Sequence, residues 1–199
     1  VNGVYTWTFG SGQAWPNGYN TSTGKPNNVI NAASEYSSEL YNRITLSLPE
    51  ARVNQAYLTD DAGSNIYLSE NAEVWLTFMH EGAGYLNSVG YFTFDRNNPP
   101  TRKEDVREII MFPNLSFPYL ATGNRLYLGR FTAGTSIGFV LVANGFSSST
   151  GVKTTASPMY YSLKNLNPET NTSLRQHMVL LKDDASAQII LGMEDLNRA

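Results

Sequence analysis

His80 and Glu81 are neighbours in the stretch AEVWLTFMHEGAGYLNSVGYFTF, Ala72 to Phe94. An imidazole beside a carboxylate is the pairing that serves as general base and orienting group in hydrolases. No nucleophile is marked to go with it, because HExxH, GxSxG, phosphate-loop and dinucleotide fingerprints are all missing. A histidine that hydrogen-bonds loop backbone explains the same residues without turnover, and the chain is expected not to be an enzyme. Tyr85 and Asn87 complete the polar set on this glycine-rich connector, so His80, Glu81, Tyr85 and Asn87 are candidate ligand contacts. His177, the second histidine, precedes MVLL and reads as a group that caps a strand or closes a loop.

Carboxylates could do a different chemistry. Calcium takes six to eight oxygen ligands at irregular loop spacing, and three acidic places qualify. They are Asp60, Asp61 and Asn65 in TDDAGSN, Asp183 and Asp184 in LKDDASAQ, and Glu194 with Asp195 in GMEDLNRA. The first two also read as turn-forming Asx residues between strands. The third follows an apolar strand directly, and a pair of carboxylates needs further oxygens from elsewhere to hold an ion. A carboxylate pair for glycoside hydrolysis leaves no trace in spacing, and nothing here marks one.

These groups must be held by elements, and most of the elements read as strands. VYTWTF opens the chain as a short aromatic strand, followed by a Gly/Pro/Asn/Ser-rich loop from Gly10 to Asn28. In that loop Trp15 is expected to be exposed and is a further candidate contact, whereas Trp7 belongs to the strand. Ala33, Tyr36, Leu40 and Ile44 then fall at helical spacing, with Asn31 as a cap and Pro49 as a stop. Strands are predicted at residues 72–79, 90–94, 108–112, 125–131, 136–143, 178–182 and 188–192, separated by turn-rich segments such as NNPPTRKED and NGFSSSTG. IGFVLVA is apolar on both faces and is predicted to be a central, doubly covered strand. The fold expected is all-β: an antiparallel two-sheet sandwich of jelly-roll type with one packed helix near residues 32–47. It forms a single domain over residues 1–199, with strand, loop and helix in 1–53 and the β core in 54–199.

Composition narrows the function. Charged residues are 16% of the 199 and the formal net charge is -3, so no basic stripe offers phosphate neutralisation and nucleic acid is not an expected partner. The chain has no cysteine, which removes disulfide staples and thiolate metal sites and leaves calcium as the natural substitute. No apolar run approaches the roughly 20 residues of a membrane span. The sequence starts at Val1 without an initiator methionine or a leader, as expected of a mature or excised part of a larger multidomain protein.

Five blocks in order, EVWLTFMHEGAGYLNSVGYFTF, IIMFPNLS, LYLGRFTAGTSIGFVLVANGF, LNPETNTSLRQHMVLL and QIILGMEDLNR, resemble the LruC-type domain of unknown function of bacterial surface and secreted proteins. The resemblance runs from about Asn54 to the end. It places Glu81 to Tyr85 on a glycine-rich turn, Asn144 on a strand-ending ANG, His177 on an RQH position, and Glu194 with Asp195 on an ED pair. In similar sequences an acidic DxDxND-like strand built for calcium follows that pair. The sequence here stops at Ala199, so a sheet edge is expected to lack its partner.

What the resemblance implies is an extracellular bacterial module, as in calcium-dependent adhesins. Such a module would be non-catalytic and would bind a peptide or carbohydrate on another cell surface, with Asn144 and His177 joining the candidate contacts. Calcium would be the cofactor, at Glu194, Asp195, Asp183 and Asp184. A structural spacer of a surface protein is the first alternative, its glycines serving only positive φ, and a hydrolase using His80 and Glu81 the second.

Overall fold

The apolar run at residues 137–143 has no polar face because the strand it forms is covered on both sides. The computed structural model describes residues 5–6, 18–48, 63–116, 118–153 and 158–196. In it Ile137, Phe139 and Leu141 enter one core while Val140 and Val142 enter another. Alternate residues of a strand point to opposite faces, so a single strand supplies both.

The strands are β1 (Tyr5–Thr6), β2 (Ile30–Asn31), β3 (Ile66–Tyr67), β4 (Ala72–Thr77), β5 (Ser88–Asp95), β6 (Ile109–Phe112), β7 (Asn124–Phe131), β8 (Thr135–Val142), β9 (Phe146–Ser147), β10 (Gly151–Val152), β11 (Met159–Tyr161), β12 (Met178–Asp183) and β13 (Gln188–Met193). A six-stranded antiparallel sheet runs β1-β6-β5-β8-β11, with β3 sharing the β11 side of β8. A second, three-stranded sheet runs β2-β7-β4, and β9–β10 and β12–β13 are two-stranded pairs. Val89, Tyr91 and Phe139 of the large sheet meet Val74, Leu76, Leu126 and Leu128 of the small one in the main core. Tyr91 reaches across this layer, its hydroxyl donating to the Leu128 carbonyl at 3.4 Å. The hairpin of β12 and β13 closes the same core with Met178, Leu180, Leu191 and Met193. On the far face of the large sheet, loops bring Tyr19, Val106, Leu163 and Leu166 onto Val140 and Val142. The described residues therefore form the antiparallel sandwich that the patterning predicts, with one α-helix among them.

Two details position the surface features described below. Between Val74 and Trp75 the register of β4 on β7 shifts, so that Val74 faces Gly129 while Trp75 faces Tyr127. Gly129 takes φ +140°, a bulge conformation that a side chain resists, and the bulge lets β7 send Leu126, Leu128 and then Phe131 inward. The second detail is the connector of residues 78–87. It does not close a hairpin: β4 lies in the small sheet and β5 in the large one, so the segment crosses between layers.

The helix starts later than its spacing suggests. α1 spans Ser38–Ser47, and the Ser37 hydroxyl caps it by accepting from Leu40 N at 3.1 Å. Asn31 does not cap it: its side chain accepts from Ala33 N at 3.0 Å, ahead of the short 3₁₀ turn Ala33–Glu35, whose own cap position is Ala32. Leu40 and Ile44 are the buried stripe, as expected. Pro49, Trp7, Trp15, Asp60 and Asp61 lie outside the described residues. Among the described residues no helix is long and apolar enough to cross a membrane.

Candidate functional site

The start of β5 and the end of β8 in the large sheet, together with the open end of the β12–β13 pair, bring Tyr85, Asn87, Asn144, His177, Glu194 and Asp195 into one neighbourhood. Asn87, just before β5, is buried, and both ends of its side-chain amide are engaged. Its Oδ1 accepts from Asn144 N at 2.9 Å, and its Nδ2 donates to Asp195 Oδ2 at 2.7 Å. Asn144 sits in the turn after β8 with φ 49°, a left-handed conformation that asparagine tolerates better than most residues. Its own side chain accepts from Leu86 N at 3.4 Å. One buried amide thus clasps the turn after β8 to the end of the chain that follows β13.

A second clasp lies behind the first. His177 and Glu169 have side chains with 0% exposure, and Nε2 and Oε1 are 2.8 Å apart. His177 Nδ1 is 3.2 Å from the Glu194 carbonyl oxygen, which only accepts, so Nδ1 carries a proton and donates it. The bond to Glu169 then holds one further proton between imidazole and carboxyl. The ring stacks on Tyr160 with centroids 3.8 Å apart and planes 15° apart. Burial first, then the nearby charges of Glu169, Asp195 and Glu194, push the Tyr160 phenol up to about 12. Among the described residues Glu169 Oε2 is buried without a hydrogen-bond partner. Glu194 N also donates to the His177 carbonyl at 2.8 Å, tying the residues after β13 to the start of β12.

This arrangement corrects the direct-contact reading of two candidates. Asn87 and His177 are inside the protein and act by positioning Asn144, Glu194 and Asp195. Tyr85 remains at the surface with 42% exposure, beside Leu86, and Ser116 Oγ donates to the Tyr85 carbonyl at 3.3 Å. His80 is exposed and belongs to another contact: Tyr41 of α1 meets it edge-on, with the hydroxyl 3.4 Å from Nδ1. Glu81, its sequence neighbour, is half-buried. The glycine-rich turn is also looser than its sequence suggests. Gly84 has no left-handed backbone, and a Cβ placed on it would meet nothing within 4 Å.

The acidic pairs divide in the same way. Asp183 grips the Arg43 guanidinium of α1 with both oxygens, at 2.6 and 2.8 Å, and accepts from Ser186; these bonds hold its carboxyl well below the usual carboxylate range. It is committed to the protein's own cation, which corrects its assignment to a metal. Asp184 is exposed, with Lys182 Nζ at 3.5 Å. Asn65 is buried and accepts from Ser162 Oγ at 2.7 Å. Glu194 spends Oε1 on Leu196 N at 3.1 Å, and Asp195 spends one oxygen on Asn87. Among the described residues no group of three His, Cys, Asp or Glu side chains is placed to hold a metal ion. Two carboxylates, each partly committed, fall short of a calcium shell.

Glu108 carries no sequence signal as a special residue, yet it is buried under the far face of the large sheet. Tyr161 donates its hydroxyl to Glu108 Oε1 at 2.8 Å, and Lys103 lies 5.5 Å above the Tyr161 ring. Burial pushes the Glu108 carboxyl up to about 7 and outweighs the Tyr161 bond and the Lys103 charge. A carboxyl raised by folding stabilises the protein below its unfolded value, and the benefit is lost as pH rises through the folded one. Relative to Glu108→Gln, the stability of the protein is expected to fall by on the order of 2 kcal/mol between about pH 4.5 and pH 7.5 and then level off. Urea midpoints of both proteins across that range check this, and parallel curves would refute it.

Comparison with known proteins adds one kinship. Residues 131–199 match the family described as Domain of unknown function (DUF4114). No curated protein and no solved structure matches the chain. The DUF4114 match supports the resemblance read from the C-terminal blocks, over a shorter span than the sequence blocks suggest. It begins at the last residue of β7 and takes in β8 to β13, and with them Asn144, Glu169, His177, Glu194 and Asp195. Tyr85 and Asn87 come from the chain before it. The Asn87 clasp thus adds a side-chain tie between the matched segment and the preceding part of the chain, beside the β5–β8 ladder that joins them.

Proposed function

We propose that this chain is an extracellular, non-catalytic ligand-binding module of a bacterial surface or secreted protein, of the LruC type and used in adhesion to a peptide or carbohydrate on another cell. The observation that carries this reading is the strand-end neighbourhood itself. Exposed Tyr85, Leu86 and Asn144 stand on a rigid base made by the buried Asn87 amide and the Glu169–His177 pair. Amphipathic aromatic side chains on a preorganised polar rim suit recognition of a weakly charged ligand. The His177 and Glu169 side chains that form this pair are fully enclosed, out of reach of a substrate at the surface. Calcium enters the reading at Glu194 and Asp195 only, with its remaining oxygens drawn from other groups.

A glycan and peptide array probed with the whole chain, in about 1 mM calcium and again in chelator, tests the reading. Tyr85→Ala is expected to abolish the hit with an unchanged melting temperature, because the side chain is at the surface. A hit that persists in chelator removes calcium from the proposal. Silence on both arrays from a stably folded chain assigns the module to a spacer role instead. Turnover of an ester or glycoside would replace the proposal with an enzyme.

A further inference from the structure

The outer face of the small sheet carries an aromatic platform that the strand-end neighbourhood does not include. On β4, Val74 and Leu76 point into the core, and alternation sends Trp75 outward, where it is 44% exposed. Burying an indole is worth a few kcal/mol, so a tryptophan held at the surface stands out. This one is held firmly. Tyr127, directly across on β7, packs against it with ring centroids 4.7 Å apart, and the Arg125 guanidinium lies 4.9 Å from its ring centroid. Arg125 is fixed in turn by an ion pair to Glu35, from the 3₁₀ turn before α1. Tyr36 and Thr77 join hydroxyls at 2.7 Å beside them.

The chemistry of this patch selects its occupant. Guanidinium and carboxylate neutralise each other, and the chain as a whole is at -3, so a polyanion or an anionic lipid surface gains no attraction here. An extended peptide would add to a strand edge through backbone bonds rather than lie on a face. A pyranose ring has what the patch complements: a face of polarised C–H groups for the negative face of the indole, and a rim of paired hydroxyls for planar donors and acceptors. We propose that Trp75, Tyr127, Arg125 and Glu35 form a binding subsite for a neutral oligosaccharide, with one sugar ring stacked on Trp75 and its hydroxyls bonded by the Arg125–Glu35 pair. The site is separate from the one in the proposed function and holds whether or not Tyr85 contacts a ligand.

The test is titration of the whole chain with soluble neutral oligosaccharides, namely β-1,4-glucan, β-1,4-mannan, α-1,4-glucan and N-acetylglucosamine oligomers, read by calorimetry and tryptophan fluorescence. At least one is expected to bind. Trp75→Ala weakens it roughly tenfold or more, Trp75→Phe retains part of the affinity because a flat ring remains, and Arg125→Lys weakens it although the charge is kept. Leu46→Ala, exposed on α1, leaves binding unchanged. Should Trp75→Ala lose its thermal transition, the Phe and Lys variants decide the matter. No binding by any oligomer at about 10 mM, which is weaker than about 3 kcal/mol, overturns the proposal. So does binding unchanged in Trp75→Ala, or binding lost in Tyr85→Ala and kept in Trp75→Ala, which would assign the sugar to the strand-end site.

Discussion

Glu169→Ala is expected to lower the free energy of unfolding by about 3–5 kcal/mol, a large part of what a domain of this size commands. The carboxyl is 0% exposed and its only hydrogen-bonded side-chain partner among the described residues is His177, which is equally enclosed. Removing it leaves the buried imidazole Nε2 beside Tyr160 without its protein partner, with its other nitrogen already bonded to the Glu194 carbonyl. Desolvating a polar group without a partner is what makes such a deletion costly. Glu169→Gln keeps a hydrogen-bonding group of nearly the same shape and is expected to cost clearly less. Urea unfolding of both variants gives the comparison, and a double-mutant cycle with His177→Ala should show the two effects to be strongly non-additive. Amide exchange at Glu194 supplies a local readout, since its N–H donates to the His177 carbonyl. A loss below about 1 kcal/mol in Glu169→Ala would mean that the pair is not the anchor described here.

Gly138→Ala is expected to cost about 3 kcal/mol for a different reason. Gly138 faces Phe92 across the β5–β8 ladder, and a Cβ at this position would lie 2.3 Å from Phe92 Cζ, with two more ring carbons at 2.7 and 2.8 Å. The ring has little room to retreat. It is 1% exposed and packs on Tyr161 and Phe94, with centroids 6.1 and 5.7 Å away. The neighbouring strands must therefore separate or the ring must leave its rotamer. Phe92→Leu in the same chain should recover part of the loss, which no unrelated defect would do. Gly84→Ala is the contrast, expected within about 0.5 kcal/mol of the parent because the added methyl enters open space. Thermal and urea unfolding rank the three, and an innocuous Gly138→Ala would refute the close approach.

The two glycines show where sequence reading succeeds and where it misleads. EGAGY draws attention because its glycines cluster, yet Gly84 answers to no steric demand; Gly138 sits unremarked in IGFVLVA and meets a severe one. What forbids a side chain at Gly138 is the Phe92 ring on another strand, and no local pattern reports that. Capping misleads in a similar way. Asn31 and Ser37 both have side chains that suit a cap, yet Asn31 bonds only Ala33 N ahead of a short 3₁₀ turn, and it is Ser37, bonded to Leu40 N, that begins the α-helix. Glu169 is hidden more deeply, since a lone carboxylate in LNPETNTS has the signature of a solvated loop. Trp75 was within reach: the alternation of AEVWLT already separates it from Val74 and Leu76.

By itself the sequence determined the β-rich class, the positions of the long strands to within a residue or two, and the doubly covered character of β8. Those properties follow from local periodicity and composition, which the chain displays wherever it is read. The tertiary structure alone decided which polar residues share a place. Asn87 meets Asn144 across 57 positions and Asp195 across 108, while His80, far nearer to Asn87 in the chain, turns to α1 instead. It also decided that Asp183 holds Arg43 and that Glu169 is buried with His177. The physical reason is that partner choice in an antiparallel sandwich is set by strand order and register. These are fixed by the packing of two faces at once and leave no signature in the spacing of the residues they unite.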